Sequence, residues 1–346
     1  MLSMAVQQPT ARATSGAPPW WRRGPAVAAI VVVVLGIELA LGWSALAKAL
    51  TQLRAPQWNW VAAALVAELA SMGTYARMQR ALLRGAGTKV SMKKHVATAY
   101  AAHSLSATLP GGPVFSTTFN FQQLRRYGVS PAVASWCIAL SGVLSAGALV
   151  VIGAVGGLLT RNTGSWHSLA GYAIGAVAVA FGVRQLAEHP HLLDRPVRAL
   201  LGGFNRVRRR PPEHGHARLV GFVEQLREVR VRPANFAFAV VLALLNWLFD
   251  AFCLWLCCVA VGAGEVNPVS LVIAYCAGMA AASVPIVPGG LGVVDAALVL
   301  GLVAGGLDSG YAVAAVVLYR MISFGFIIGL GWLVWLGIRY RYRAAA

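Results

Sequence analysis

Apolar residues in this chain come in long blocks rather than at alternating positions. Six blocks, 26–47, 58–83, 131–158, 166–187, 233–261 and 310–338, are interrupted by few charges. Each is about twenty residues or more, enough for a helix to cross a hydrocarbon layer of about 30 Å. Two further blocks are broken. The first runs from 95 to 109, meets Pro110-Gly111-Gly112-Pro113, and resumes from 114 to 124; the second runs from 269 to 284, meets a stretch ending Pro288-Gly289-Gly290, and resumes from 291 to 304. Each half is too short to span comfortably. The pattern predicts an all-α fold, a polytopic membrane bundle of about six full spans with two re-entrant Pro-Gly-Gly hairpins.

Composition agrees with that solvent. Hydrophobic residues make up 58% of the chain and charged ones 12%, with a mean hydropathy of +0.67. Ala45-Leu46-Ala47 imitates a signal-peptide cleavage site, but the apolar run before it is longer than such a leader requires. It reads as a retained first helix. Abundant Ala, Gly, Val and Arg point to a GC-rich bacterial genome.

The net charge of +18 sits in the connectors. No RNA-binding, zinc-finger or helix-turn-helix pattern accompanies it, so no nucleic-acid partner is expected. Cytoplasmic loops rich in Lys and Arg account for it and set the topology. Residues 1–25 form a disordered cytoplasmic tail, 26–340 a single transmembrane domain, and 341–346 a cytoplasmic tail. The loop 188–232 carries ten arginines against five acidic residues and is the largest cytoplasmic connector. Its segment 219–229 has apolar residues at helical spacing, which fits either an amphipathic helix on the inner leaflet or a packed, solvated connector. Basic residues flank both ends of the first broken block, so that hairpin enters from the cytoplasm. The basic C-terminal end fixes the second as entering from outside.

The two broken blocks also resemble each other. Ala99-Tyr100-Ala101 precedes Pro110-Gly111-Gly112, and Ala274-Tyr275-Cys276 precedes Pro288-Gly289-Gly290. Two related units of opposite orientation are the architecture in which a midplane site opens alternately to either side. Tight helix packing at the Pro-Gly breaks is the simpler alternative. A half-helix N-terminus favours an anion, so Pro110, Gly111, Gly112, Pro288, Gly289 and Gly290 become candidate headgroup-binding positions.

Charges inside apolar runs are costly unless paired or hydrated. They are Glu38, Glu68, Asp250, Asp295 and Arg320, with Arg77 nearer an interface. Asp295, just beyond the second break, is the first candidate partner for Arg320, and Asp250 the second; a purely structural ion pair is the alternative. Glu38 and Glu68 either pair with Arg77 or face a cavity. His103 is a candidate proton relay or a bonded structural residue. The five cysteines lie in apolar segments without ligand partners, so neither a disulfide nor a metal is expected, and no cofactor.

VPGGLGVVDAAL and the later LYRMISF resemble the flippase-like family of the lysylphosphatidylglycerol synthase transmembrane region, over about residues 26–340. The resemblance rests most firmly on Pro288-Gly289-Gly290-Leu291-Gly292, an acidic residue, and Tyr319-Arg320 in the next helix. The family commonly has Glu where Asp295 stands, and a charged motif where this chain has Ala139-Leu140-Ser141-Gly142. The synthase's aminoacyltransferase domain does not follow the last helix here, so lysylphosphatidylglycerol synthesis is not expected. The resemblance implies a non-enzymatic lipid translocase of the bacterial inner membrane, both termini cytoplasmic, acting on a lipid with an anionic or zwitterionic headgroup. Tyr319 joins Asp250, Asp295 and Arg320 as a candidate substrate-binding residue. A membrane-embedded lipid-modifying enzyme, using Asp250 and Asp295 or Ser141, and a scaffold for an envelope-biosynthesis partner are the competing expectations.

Overall fold

Inside a bilayer every backbone amide and carbonyl has to be satisfied within its own segment, which leaves helix as the outcome for apolar blocks of this kind. The computed structural model describes residues 56–109, 111–159, 232–282, 290 and 292–343. The expected N-terminal tail, the helices at 26–47 and 166–187, nearly all of the loop 188–232, Glu38, Pro110, Pro288 and Gly289 lie outside them; of the expected C-terminal tail, residues 341–343 are described and continue the last helix, and 344–346 lie outside.

The described residues form α1 (Trp58–Gly85), α2 (Met92–Thr108), α3 (Gly112–Arg126), α4 (Pro131–Leu159), α5 (Pro233–Ala260), α6 (Pro268–Ala281), α7 (Val293–Ala304), α8 (Ser309–Arg320), a π segment (Met321–Phe326) and α9 (Ile327–Arg343). No strand occurs among them. Proline opens α4, α5 and α6, where its missing N–H costs no helical hydrogen bond. Asn267 caps α6 by accepting from the Val269 and Ser270 amides at 2.9 and 3.3 Å. Asp308 caps α8 by accepting from the Gly310 amide at 2.9 Å.

Helices α4, α5 and the run from Ser309 to Arg341 are long and apolar enough to cross a membrane. The chain is a helical, multi-pass membrane protein. Helix α1 matches α5 at 28 residues but carries Glu68, Arg77, Arg80 and Arg84. Both broken blocks fold as expected into two short helices, with ends shifted by a few residues. The long block 310–338 differs: it is a single run interrupted by the π segment directly after Arg320.

Helices α1 and α5 pack along their length and run antiparallel. The Gln57 amide donates to the Ala260 carbonyl at 2.9 Å, and Ser71 Oγ to the Asn246 carbonyl at 2.9 Å. The short helices pair as α2 with α3 and α6 with α7. Each pair also packs against a long helix distant from it in sequence. Helix α2 lies against α9, with Ser104 Oγ donating to the Ile328 carbonyl at 3.0 Å. Helix α6 lies against α4, where Cys276 and Ile273 meet Gly153 and Gly156.

The α2–α9 contact depends on Gly331. A Cβ there would stand 1.9 Å from Ser104 Oγ and 2.3 Å from the Tyr100 carbonyl oxygen. Backbone cannot give way as a flexible side chain does, so Gly331→Ala is expected to cost about 1–3 kcal/mol through overpacking. Thermal unfolding in detergent checks this, with Gly337→Ala, which meets nothing within 4 Å, losing no stability.

Candidate functional site

Among the described residues, two clusters gather around acidic side chains of the apolar helices, and both draw on α8. Asp308 fixes the start of α8, so Tyr319 and Arg320 fall about ten residues in, roughly 15 Å along the axis by helical rise. That is about half the thickness of a hydrocarbon core. The two residues are adjacent in sequence and serve different clusters.

The first cluster gathers on Asp250 of α5. Tyr275 of α6 donates its hydroxyl to Asp250 Oδ2 at 2.7 Å, and Tyr319 of α8 donates to Oδ1 at 2.7 Å. Both tyrosines are buried, and the Trp247 ring meets Tyr275 edge-on at 6.2 Å between centroids. A carboxylate with a short donor on each oxygen is stabilised without any cation. Glu68 of α1 comes up beside Asp250 and Cys253, as the antiparallel register of α1 on α5 requires. It is 4% exposed, and its Oε2 has no hydrogen-bond partner.

The second cluster is Asp295 and Arg320. Gly292 precedes α7 with φ +82, and its amide donates to Asp295 Oδ2 at 2.9 Å, so the carboxylate closes the N-terminus of α7. Asp295 Oδ1 accepts from Arg320 Nε, forming an ion pair. The Arg320 guanidinium stands 5.9 Å from the Phe324 ring centroid, and its Nη2 is buried without a partner. A guanidinium offers donors in a planar fork, so one face of this ion pair remains available to a further acceptor.

The expected pairing of Asp295 with Arg320 is therefore present, while the alternative partner Asp250 is taken by two tyrosines. Glu68 lies beside Asp250 rather than pairing with Arg77, which is exposed. Gly111 stands at the N-cap of α3 with φ +70, a left-handed conformation suited to glycine. Gly112 packs so closely that a Cβ would fall 1.9 Å from the Ser106 carbonyl oxygen. Gly290 has φ +63 and sits against the Val294 side chain. The glycines of the first break and the Asp295–Arg320 pair belong to different pairs of short helices, with no described contact joining them.

Sequence reasoning missed Tyr275 as a ligand of Asp250, the pairing of Glu68 with Asp250, and the π segment. Tyr275 left a signal: it is the tyrosine that repeats Tyr100, at the same distance from the start of the preceding long helix. The π segment left none. Asp250 and Asp295 form no dyad, because both oxygens of each are bonded elsewhere. Ser141 donates to the Ile138 carbonyl at 2.9 Å and is buried.

The double donation to Asp250 yields a measurable coupling. Tyr275→Phe and Tyr319→Phe are each expected to cost about 1–3 kcal/mol, because each leaves a carboxylate oxygen unsatisfied. In an Asp250→Leu background the same substitutions should cost far less. A double-mutant cycle on thermal unfolding in detergent reads the difference.

No curated protein matches the chain. A family model described as the lysylphosphatidylglycerol synthase TM region matches residues 24–331, a span that takes in both short-helix pairs, Glu68, Asp250, Asp295 and the Tyr319-Arg320 dipeptide. The chain belongs to the family of the lysylphosphatidylglycerol synthase TM region.

Proposed function

We propose that the chain moves a phospholipid or lipid-linked molecule between the leaflets of a bacterial plasma membrane, by transport rather than by catalysis. The observation that carries this reading is Arg320: a guanidinium about halfway along the depth of the bundle, oriented by Asp295 and retaining a buried, unpartnered Nη2. A fixed cation in that position is costly in lipid, and a function explains it best. It offers charge-assisted hydrogen bonds to the phosphate of a headgroup in transit.

The packing supports an inverted pair of units, each made of a long helix, a re-entrant pair of short helices and a second long helix. The first helices of the two units, α1 and α5, are antiparallel. The remaining contacts are exchanged reciprocally, α2 with α9 and α6 with α4. With the basic ends of α1, α3 and α9 facing the cytoplasm, α2–α3 enters from inside and α6–α7 from outside. This is the arrangement that alternating access requires. Both termini are then cytoplasmic.

Membrane lipids with an anionic or zwitterionic headgroup are the partners this reading calls for. Among the described residues, Asp250, Asp295 and Ser141, the groups an enzyme reading would use, are each hydrogen-bonded to other groups, which favours the transport reading.

Purified protein in liposomes carrying a fluorescent phosphatidylglycerol, with chemical quenching of the outer leaflet, measures transfer directly. Wild type is expected to expose inner-leaflet lipid faster than empty liposomes, and Arg320→Ala to slow this at least about tenfold, equivalent to about 1.4 kcal/mol. Arg320→Lys should not restore the rate, because the fork geometry is lost. Equal rates for wild type and Arg320→Ala would sink the proposal. Orientation has its own check, in a background with the native cysteines replaced. A membrane-impermeant thiol reagent should reach Ser130→Cys from the cytoplasm and Ser309→Cys from outside; labelling of both from one side overturns the inverted pair.

A further inference from the structure

Among the described residues, Glu68 is a buried acid for which the lipid-binding reading has no use. It lies at mid-depth on α1, across the antiparallel seam from Asp250, and its Oε2 is buried with no hydrogen-bond partner. Among the described residues no cation pairs with it. Arg320 is engaged by Asp295 on α7. An unpaired carboxylate in an apolar interior is costly enough that such a group persists only where its charge changes or is used.

The groups facing Glu68 come from every neighbouring polar element. Helix α5 brings Asp250 and Cys253. Tyr275 from α6 and Tyr319 from α8 lie within electrostatic reach and spend their hydroxyl protons on Asp250. Helix α2 contributes Tyr100 near Glu68 and His103 near Asp250. Every one of these groups except His103 is an acid or a neutral phenol or thiol. The two tyrosines hold Asp250 as an acceptor, which leaves the Glu68 carboxyl as the one free to carry an added proton and donate it to Asp250.

We infer that Glu68, backed by Asp250 and its two tyrosines, is a proton-binding site, and that loading and unloading of one proton there couples lipid movement to a proton gradient. The inference rests on the translocase reading above and adds its driving ion. Because α6 and α8 each supply a tyrosine to Asp250, a shift of either changes how Asp250 meets Glu68. When the carboxyl pair separates, the proton on Glu68 passes to water, with His103 of α2 as a base within electrostatic reach of Asp250. A sodium-binding pair is the competing chemistry, and the experiment separates the two.

The test has one arm that reads the site and one that reads transport. In the first, detergent-solubilised full-length protein is treated with a hydrophobic carbodiimide, which attacks protonated carboxyls in apolar surroundings, and the modified peptide is identified by mass spectrometry. Glu68 should be labelled, with labelling falling as pH rises and absent in Glu68→Gln. In the second, proteoliposomes carrying fluorescent phosphatidylglycerol are given a pH gradient or, at equal pH, a sodium gradient. Wild-type transfer should change several-fold with the pH gradient and not with sodium. Glu68→Gln should transfer at a rate indifferent to the pH gradient, and Glu68→Asp should recover part of the response. A monodisperse gel-filtration profile and a wild-type unfolding temperature certify that the variant folds; if Glu68→Gln fails them, wild-type labelling and gradient response decide the matter alone.

Labelling of Glu68 without any lipid transfer would leave the proton site standing and overturn the translocase. Lipid transfer that ignores the pH gradient, with Glu68 unlabelled, would overturn the proton site and leave the translocase. Transfer driven by sodium at equal pH would likewise overturn it.

Discussion

The antiparallel seam between α1 and α5 is the contact on which the other arrangements depend. It sets Glu68 beside Asp250, brings the start of α1 to the end of α5, and leaves the outer faces of both helices to hold the short helices. Its chemistry mixes an apolar lining with a few obligatory hydrogen bonds. Small residues such as Ala64, Ala67 and Ala251 allow close approach, while Ser71 spends its hydroxyl on the Asn246 carbonyl. Close packing and polar contacts of this kind are what hold helices together in lipid, where burial of apolar area gives no net advantage.

On that frame the two polar clusters solve the same problem in different ways. Asp250 is stabilised by neutral donors from two other helices, and Asp295 by a backbone amide and a guanidinium. The first solution places no cation in the interior; the second introduces one and keeps it oriented. Tyr319 and Arg320 are neighbours in sequence yet point to different clusters, so a rotation of α8 alters both at once. This is a physical link between the proposed headgroup-binding and proton-binding roles that requires no chain of intermediate residues.

Much of this was legible in the sequence for a simple reason: in lipid, length and apolarity determine a helix almost completely, and proline with glycine marks where it must stop. The blocks 131–158 and 233–261 correspond to α4 and α5 within a residue at their ends, and both broken blocks resolve into short helix pairs. The Asp295–Arg320 pair was accessible because two rare charges stood at similar depth. Glu68 with Asp250 was not, since their meeting depends on the register of two helices separated by well over a hundred residues, which no local pattern encodes. Tyr275 was hidden for a related reason, and so was the bond to Asp250 of Tyr319, which was named only as a substrate-binding candidate. In an apolar helix a tyrosine reads as packing unless the carboxylate it serves is already known to lie opposite.

The π segment gives the last crossing helix a double membership. Before it, α8 packs with α5 and α7 and supplies Tyr319 and Arg320; after it, α9 is a wall against which α2 rests through Ser104 and Gly331. A wider turn resets which face of the helix looks where, so one continuous rod serves two neighbourhoods that a regular α-helix would hold in fixed phase. The same rod ties the fate of one short-helix pair to that of the other. Residues 321–326 are thus the stretch of this rod at which the phase set by Tyr319 and Arg320 is exchanged for the phase that α2 requires.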